Sequence, residues 1–346
     1  MTSEISLSVI ICNFNDQNYL CGLFNQISLQ TLSPNEIIFV DDGSSDRSID
    51  IVKAIRKKYV KLNIIIYKNK INRGTIYSAN FGATKARSKY IYFAATDDLI
   101  KPNFFEETMR VLGLHPEAGL CSSIVFSTNE NNLIIKSHPF SLKTSDGYFI
   151  DESKCIEELM RVGPWTGGNS CIFRKSCYFE CGGLNEKLKA YSDIFLGMFV
   201  SVKYGVCYIP KNYTAFRVRD GSYSSQLSSA EAIKIIKIIS ILMKKKYKKY
   251  FTGYLSNLFR DREITRIKLH KKYLILNKSI ECYSRSKKNH NPLFYLWFLF
   301  VKSFYIMRFI LQLPLTNKNL FFVIKNFLRN KFDKLCNSLL RKNWDL

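Results

Sequence analysis

Apolar runs and amphipathic stretches alternate along the first hundred residues. "LSVIIC" at 7–12, "EIIFV" at 36–40, "NIIIY" at 63–67 and "YIYFAA" at 90–95 are short, β-branched and almost unbroken. Such runs predict strands buried on both faces. Between them, residues 17–29 place Leu20, Leu23, Phe24 and Ile27 on one helical face. Ser45 or Asp46 caps a predicted helix ending near Tyr59, and residues 75–86 predict another. Strand and helix in alternation predict an α/β fold with a mostly parallel central sheet covered on both faces.

From about residue 226 the pattern becomes helical, with segments 231–250, 252–286, 293–313 and 317–342. The predicted division is an α/β domain over 1–225 and a helical region over 226–346. Within the former, residues 1–100 form one half and 101–225 the other.

Charge sharpens this division. The chain has 346 residues and a net charge of +24. Residues 1–230 carry 26 basic and 22 acidic side chains, whereas residues 231–346 carry 26 and 6. A basic excess confined to the C-terminal third points to an anionic partner for that third. In and just before 293–313, Asn291, Tyr295, Lys302, Tyr305, Arg308 and Gln312 share one stripe, which predicts an interfacial helix in preference to a spanning one. Packing of these apolar faces on the α/β domain, or on a second subunit in a homo-oligomer, is the alternative. No nucleic-acid-binding motif accompanies the charge, so no nucleic acid is expected. The start of the chain shows neither a basic n-region nor a cleavage site. Ten cysteines lack zinc-ligand spacing. Both features predict a cytoplasmic protein, here peripheral at the inner face of a membrane.

Two acidic pairs carry the chemistry. Asp41-Asp42 follow the second predicted strand and Asp97-Asp98 the fourth. Ligands of open α/β sheets bind outside the carboxyl ends of the strands. Paired carboxylates there suit a hard divalent cation that neutralises a diphosphate. A solvated turn or helix start is the alternative for either pair alone.

Four blocks, "VIICNFNDQNYL", "IIFVDDGSSDRS", "NRGTIYSANFGATKARSKYIYFAATDDLIKPNFFE" and "GGNSCIFRKSCYFECGGLNE", occur in this order. Together they resemble the successive motifs of family 2 glycosyltransferases over about residues 5–220. The resemblance implies a nucleotide-diphospho-sugar transferase (Rossmann-like) fold. It also implies inverting transfer of a sugar from a nucleotide donor, expected to be a UDP-sugar, to a glycan or lipid-linked acceptor.

Carried over position by position, Ile11 and Asn13 match the loop that contacts the base. Asp41 matches the carboxylate on uracil or ribose, with Asp42 beside it. Asn72, Arg73 and Gly74 match the segment that closes over the nucleotide. Asp97 matches a ribose contact, and Asp98 the ligand of Mg2+ or Mn2+. Asp193 aligns with the general base, the alternative being a carboxylate stabilised by its helix dipole. Trp165, Gly168 and Asn169 fall where the family lines its acceptor pocket, the alternative for Trp165 being core packing.

Two departures matter. An Arg-x-His pattern of the family reads Arg217-Val218-Arg219 here, which offers arginines for phosphate and no histidine for metal. The Q-x-x-R-W block of processive members is missing from 190–260, which predicts one sugar per encounter. A nucleotidyltransferase on a related scaffold and a binding module that lost its chemistry are the competing readings. The first normally needs a Gly-rich phosphate loop that the chain lacks after its first strand.

Overall fold

A computed structural model describes residues 5–129, 134–138, 148–219 and 226–268. In chain order the elements begin with β1 (Leu7–Asn13), α1 (Gln17–Ser28), β2 (Glu36–Asp41), α2 (Ser48–Lys58), β3 (Ile64–Lys68), α3 (Thr75–Lys85) and β4 (Tyr90–Ala94). There follow β5 (Leu99–Ile100), α4 (Phe104–Leu114), β6 (Leu120–Thr128), β7 (Ile134–His138), β8 (Phe149–Ile150) and α5 (Glu152–Val162). The last are β9 (Ile172–Arg174), α6 (Lys175–Glu180), α7 (Ser192–Tyr204), β10 (Val206–Arg217) and α8 (Ser229–Lys245).

One sheet runs β3-β2-β1-β4-β9-β6-β10-β5, with β7 beside β6 and β8 beside β10. β1, β2, β3 and β4 pair in parallel, as do β6 and β10. The apolar runs explain this burial. Val9, Ile10, Ile11, Ile37, Ile38 and Phe39 are fully buried because helices cover both faces of the sheet. α1 turns Leu20, Leu23, Phe24 and Ile27 inward, the face its spacing predicts. Small residues Ala79, Gly82 and Ala83 let α3 lie close against β1 and β2.

β2 and β3 lie to one side of β1, and β4 lies to the other. The chain thus reverses its direction of travel across the sheet between β1 and β4. At such a switch point the loops after neighbouring strands part and leave a crevice. Asp16 follows β1 and Thr96 to Asp98 follow β4, so the fold itself brings these residues to one place.

The chain divides into two units. One holds residues up to 227 together with 245–252, and the other holds 228–244 and the residues from 253 onward. In the second, α8 is followed by a helix over 253–268, with the Ser240 hydroxyl on the Ser256 carbonyl at 3.0 Å. The helices expected over 293–313 and 317–342 lie outside the described residues. Among the described residues no helix is long and apolar enough to cross a membrane. Cys12, Cys121, Cys155, Cys171, Cys177 and Cys181 are free thiols, and burial raises the pKa of Cys12, Cys171 and Cys181 to about 12.

Candidate active site

The crevice is built from three loops and one turn. Asp41 ends β2 fully buried. Its Oδ1 accepts from the Asn13 side-chain amide at 3.0 Å, and its Oδ2 from the Ser44 N–H at 3.1 Å. These bonds join the ends of the first two strands. Ile11 is a core residue with no exposure; its side chain lies below this edge.

Asp42 serves the next loop. Its Oδ1 accepts from the Asn69 amide at 2.7 Å and the Arg73 N–H at 3.0 Å. Its Oδ2 accepts from the Gly74 N–H at 2.8 Å. Gly74 has φ of +93°, a conformation that glycine adopts without strain. The carboxylate of Asp42 is thus taken up in shaping the Asn72-Arg73-Gly74 segment.

Asp97 and Asp98 diverge. Asp97 Oδ2 accepts from Arg219 Nε at 2.5 Å, while Arg219 Nη2 reaches Asp16 Oδ1 at 2.8 Å. The other oxygen of Asp16 accepts from the Thr96 hydroxyl at 2.8 Å. The Arg219 guanidinium lies 4.9 Å from the Tyr19 ring centroid. One arginine therefore ties the loop after β1 to the loop after β4, and cancels part of the paired charge.

Asp98 points inward and is 7% exposed. Its Oδ1 accepts a long bond, 3.4 Å, from the Arg217 N–H. Burial and the neighbouring charge of Asp97 push its pKa up to about 7. The Asn169 side chain opposes that rise, although its Nδ2 is buried outside hydrogen-bonding geometry with any acceptor. The Tyr92 hydroxyl donates to the Asn169 carbonyl at 3.0 Å and so fixes the residue.

The neighbouring Gly168 serves the other carboxylate. A β-carbon on Gly168 would run into the Asp193 side chain, whose Cγ would lie 3.0 Å from it. Asp193 sits in the first turn of α7, and its Oδ1 accepts from the Ile194 N–H at 2.8 Å. It keeps some access to solvent, yet the protein packed around the carboxylate raises its pKa. The Gly168–Ser170 turn thus brings the Asn169 side chain near Asp98 and sets Gly168 against Asp193. Trp165 is 4% exposed and its indole N–H has no hydrogen-bond partner, so its ring is a buried apolar surface.

Among the described residues no three His, Cys, Asp or Glu side chains cluster as a preformed metal site. Asp97 is engaged by Arg219. The donor set fits a cation of another kind, one held by the Asp98 carboxylate and completed by substrate phosphates.

Sequence reasoning anticipated Asn13, Asp41, Asn72, Asp97, Asp98 and Asp193 as site residues, and the structure places them at the carboxyl edge or the turn facing it. It missed Asp16, Tyr19, Tyr92 and Thr96. Tyr92 reads as one more apolar strand position. Asp16 had a signal, an acid four residues beyond a predicted strand end.

Residues 8–176 match the sequence profile described as Glycosyl transferase family 2. Glycosyltransferase GlyG of Streptococcus pneumoniae serotype 4 is 25% identical over 225 residues, 62% of this chain and 72% of GlyG. Glycosyltransferase GlyA of the same organism is 25% identical over 232 residues, 65% of this chain, but the match spans only 32% of GlyA. Among solved structures, S. aureus TarS 1-349 in complex with UDP-GlcNAc superposes with a TM-score of 0.56 at 16% identity, covering 89% of this chain and 82% of TarS 1-349. The mannosyltransferase PcManGT of Pyrobaculum calidifontis, in complex with GDP-Man and Mn2+, gives 0.54 at 14% identity, covering 88% and 83%. These likenesses show a shared fold.

Proposed function

Residues 8–176 place this chain in glycosyl transferase family 2, and from that premise we propose that it transfers a sugar, with inversion, from a nucleotide-diphosphate sugar to an acceptor hydroxyl. One observation carries the reading. The Gly168–Asn169 turn sets Asp193, a carboxylate with raised proton affinity, against the same short segment that faces Asp98. A base and a diphosphate-facing acid on either side of one turn suit a single displacement.

The donor occupies the switch-point crevice. Asp41 and Asn13 shape the base and ribose end, and the loop held by Asp42 presents Arg73 toward the phosphates. Arg217 and Arg219 bring permanent positive charge to the same place, which suits a diphosphate. Asp98 would hold Mg2+ or Mn2+, whose contribution is to offset the charge of the leaving diphosphate. A hydroxyl is a poor nucleophile until its proton has a destination, and Asp193 supplies one. The raised pKa of Asp193 brings its basicity closer to neutral pH, where such a base is more effective.

A UDP-sugar is the proposed donor. TarS has been solved with UDP-GlcNAc and PcManGT with GDP-Man, which brackets the choice of base. The acceptor is proposed as a surface glycan or glycolipid precursor, with one sugar added per encounter. The basic residues 231–346 would hold the enzyme at an anionic membrane surface.

The test is a screen of UDP-, GDP- and dTDP-sugars by thermal shift with Mn2+, followed by donor turnover with the best. Stabilisation by one nucleotide sugar and its hydrolysis or transfer is expected. No stabilisation by any of them contradicts the reading.

A further inference from the structure

A cleft of about 320 Å3 opens between α3 and the chain from Phe179 to Glu186. Tyr77, Phe81 and Phe179 supply aromatic walls, and Asn80, Thr84 and Glu186 supply polar groups. Nothing in the donor reading uses this cleft. Its volume is at the lower end for small-ligand sites, and its mixed lining is of the usual kind.

The walls are held in place before any ligand arrives. The Arg73 guanidinium lies 3.6 Å from the Tyr77 ring centroid, and its Nη1 donates to the Tyr77 hydroxyl at 2.6 Å. The Tyr77 and Phe81 rings are within 9° of parallel, with centroids 6.4 Å apart. Asn80 Oδ1 accepts from the Tyr178 hydroxyl at 2.5 Å and from the Leu184 N–H at 3.0 Å. Its Nδ2 returns a bond to the Leu184 carbonyl at 2.8 Å. The opposite wall, Phe179, is 41% exposed, a large apolar face left open beside these fixed groups.

The chemistry selects among ligands. Glu186 is the charged residue of the lining, and the neighbouring cations Arg73 and Lys85 lie over the Tyr77 and Phe81 rings, so the lining itself offers a diphosphate no cationic group. A sugar ring fits better. Its C–H faces pack on aromatic rings, and its hydroxyls can bond to a carboxylate and to side-chain oxygens. The Thr84 hydroxyl gives its proton to the Phe81 carbonyl at 2.7 Å, which leaves its oxygen as an acceptor. Location points the same way. Arg73 joins one end of the cleft to the loop held by Asp42. Glu186 begins the turn Glu186–Tyr191 that leads directly into α7 and Asp193.

We infer that this cleft is a subsite for the acceptor glycan, binding a sugar unit at a distance from the hydroxyl that reacts. The inference rests on the proposed glycosyl transfer, and it adds a second point of contact that lets the enzyme select longer acceptors over single sugars.

The probe is a printed array of bacterial surface oligosaccharides, read with wild-type protein, Phe179→Ala and Thr84→Trp. Phe179→Ala removes one aromatic wall, and Thr84→Trp fills the cleft from an exposed helix position. Wild type is expected to retain one class of glycan, with each variant retaining about tenfold less. Calorimetric binding of UDP with Mn2+ is expected to be equal in all three. Equal glycan retention by the three proteins, or none by wild type, overturns the subsite, and intact UDP binding then leaves the donor reading standing. A change in sedimenting mass caused by Phe179→Ala would mean that a second copy of the chain covers the cleft, and overturns the inference as well.

Discussion

The carboxylate of Asp193 occupies the space that a side chain on Gly168 would need. The absence of a β-carbon at one position thereby sets the place of the base at another. Gly168→Ala should displace the Asp193 side chain while leaving the donor crevice intact. Transfer should fall by about 100-fold, the usual effect of misplacing a group beside the chemistry. UDP affinity, measured by calorimetry, should stay within about twofold.

Replacing the base tests its role more sharply. Asp193→Asn should keep donor binding and lose transfer by about 10²–10⁴-fold. The pH profile carries a sign. A base acts when ionised, so kcat should fall as the pH drops through the pKa of Asp193, and burial puts that limb above the ordinary 3.8. A rate–pH profile of the wild type that stays flat down to about pH 4 would move the base elsewhere.

Asp98 makes a prediction about stability. Its pKa is raised in the folded protein to about 7 from an ordinary 3.8. The folded state therefore binds this proton more tightly than the unfolded state does. The resulting stabilisation is full below 3.8 and is lost as the pH rises through about 7. Ligand-free wild type should lose Tm relative to Asp98→Asn as the pH is raised across that window. Parallel Tm curves for the two proteins would show that Asp98 does not titrate there.

Arg219 bridges Asp16 and Asp97 through two separate nitrogens. Arg219→Gln should leave both acids short of a counter-charge. It should cost about 1–2 kcal/mol in chemical denaturation, and should weaken UDP binding by about tenfold. Arg219→Lys should not restore either, because one ammonium cannot reproduce the two-pronged geometry of a guanidinium.

Much of the fold was legible in the chain because its cause is local. Val9, Ile10 and Ile11 announce a buried strand, and Leu20, Leu23, Phe24 and Ile27 announce a helix face at their spacing. The strand order was not legible, since nothing in a single strand says which neighbour it takes. That order is what brings Asp16 beside Thr96. The acids themselves were legible, but their division of labour was not. Asp41 and Asp42 look alike in sequence, yet one braces Asn13 and Ser44 while the other holds Arg73 and Gly74. The ion pairs of Arg219 join residues far apart in the chain, and no local pattern marks them. Ile11 shows the opposite case: a position assigned by alignment to a ligand loop has a side chain that belongs to the core.

The central claim is that the carboxyl edge between β1 and β4 binds the diphosphate of the donor. A crystal structure of the protein soaked with UDP and Mn2+ tests it most directly. The account predicts the diphosphate in the crevice bounded by Arg73, Asp98 and Arg217, with the metal on Asp98. Nucleotide bound elsewhere, or a crevice left empty with Asp98 unchanged, would contradict it.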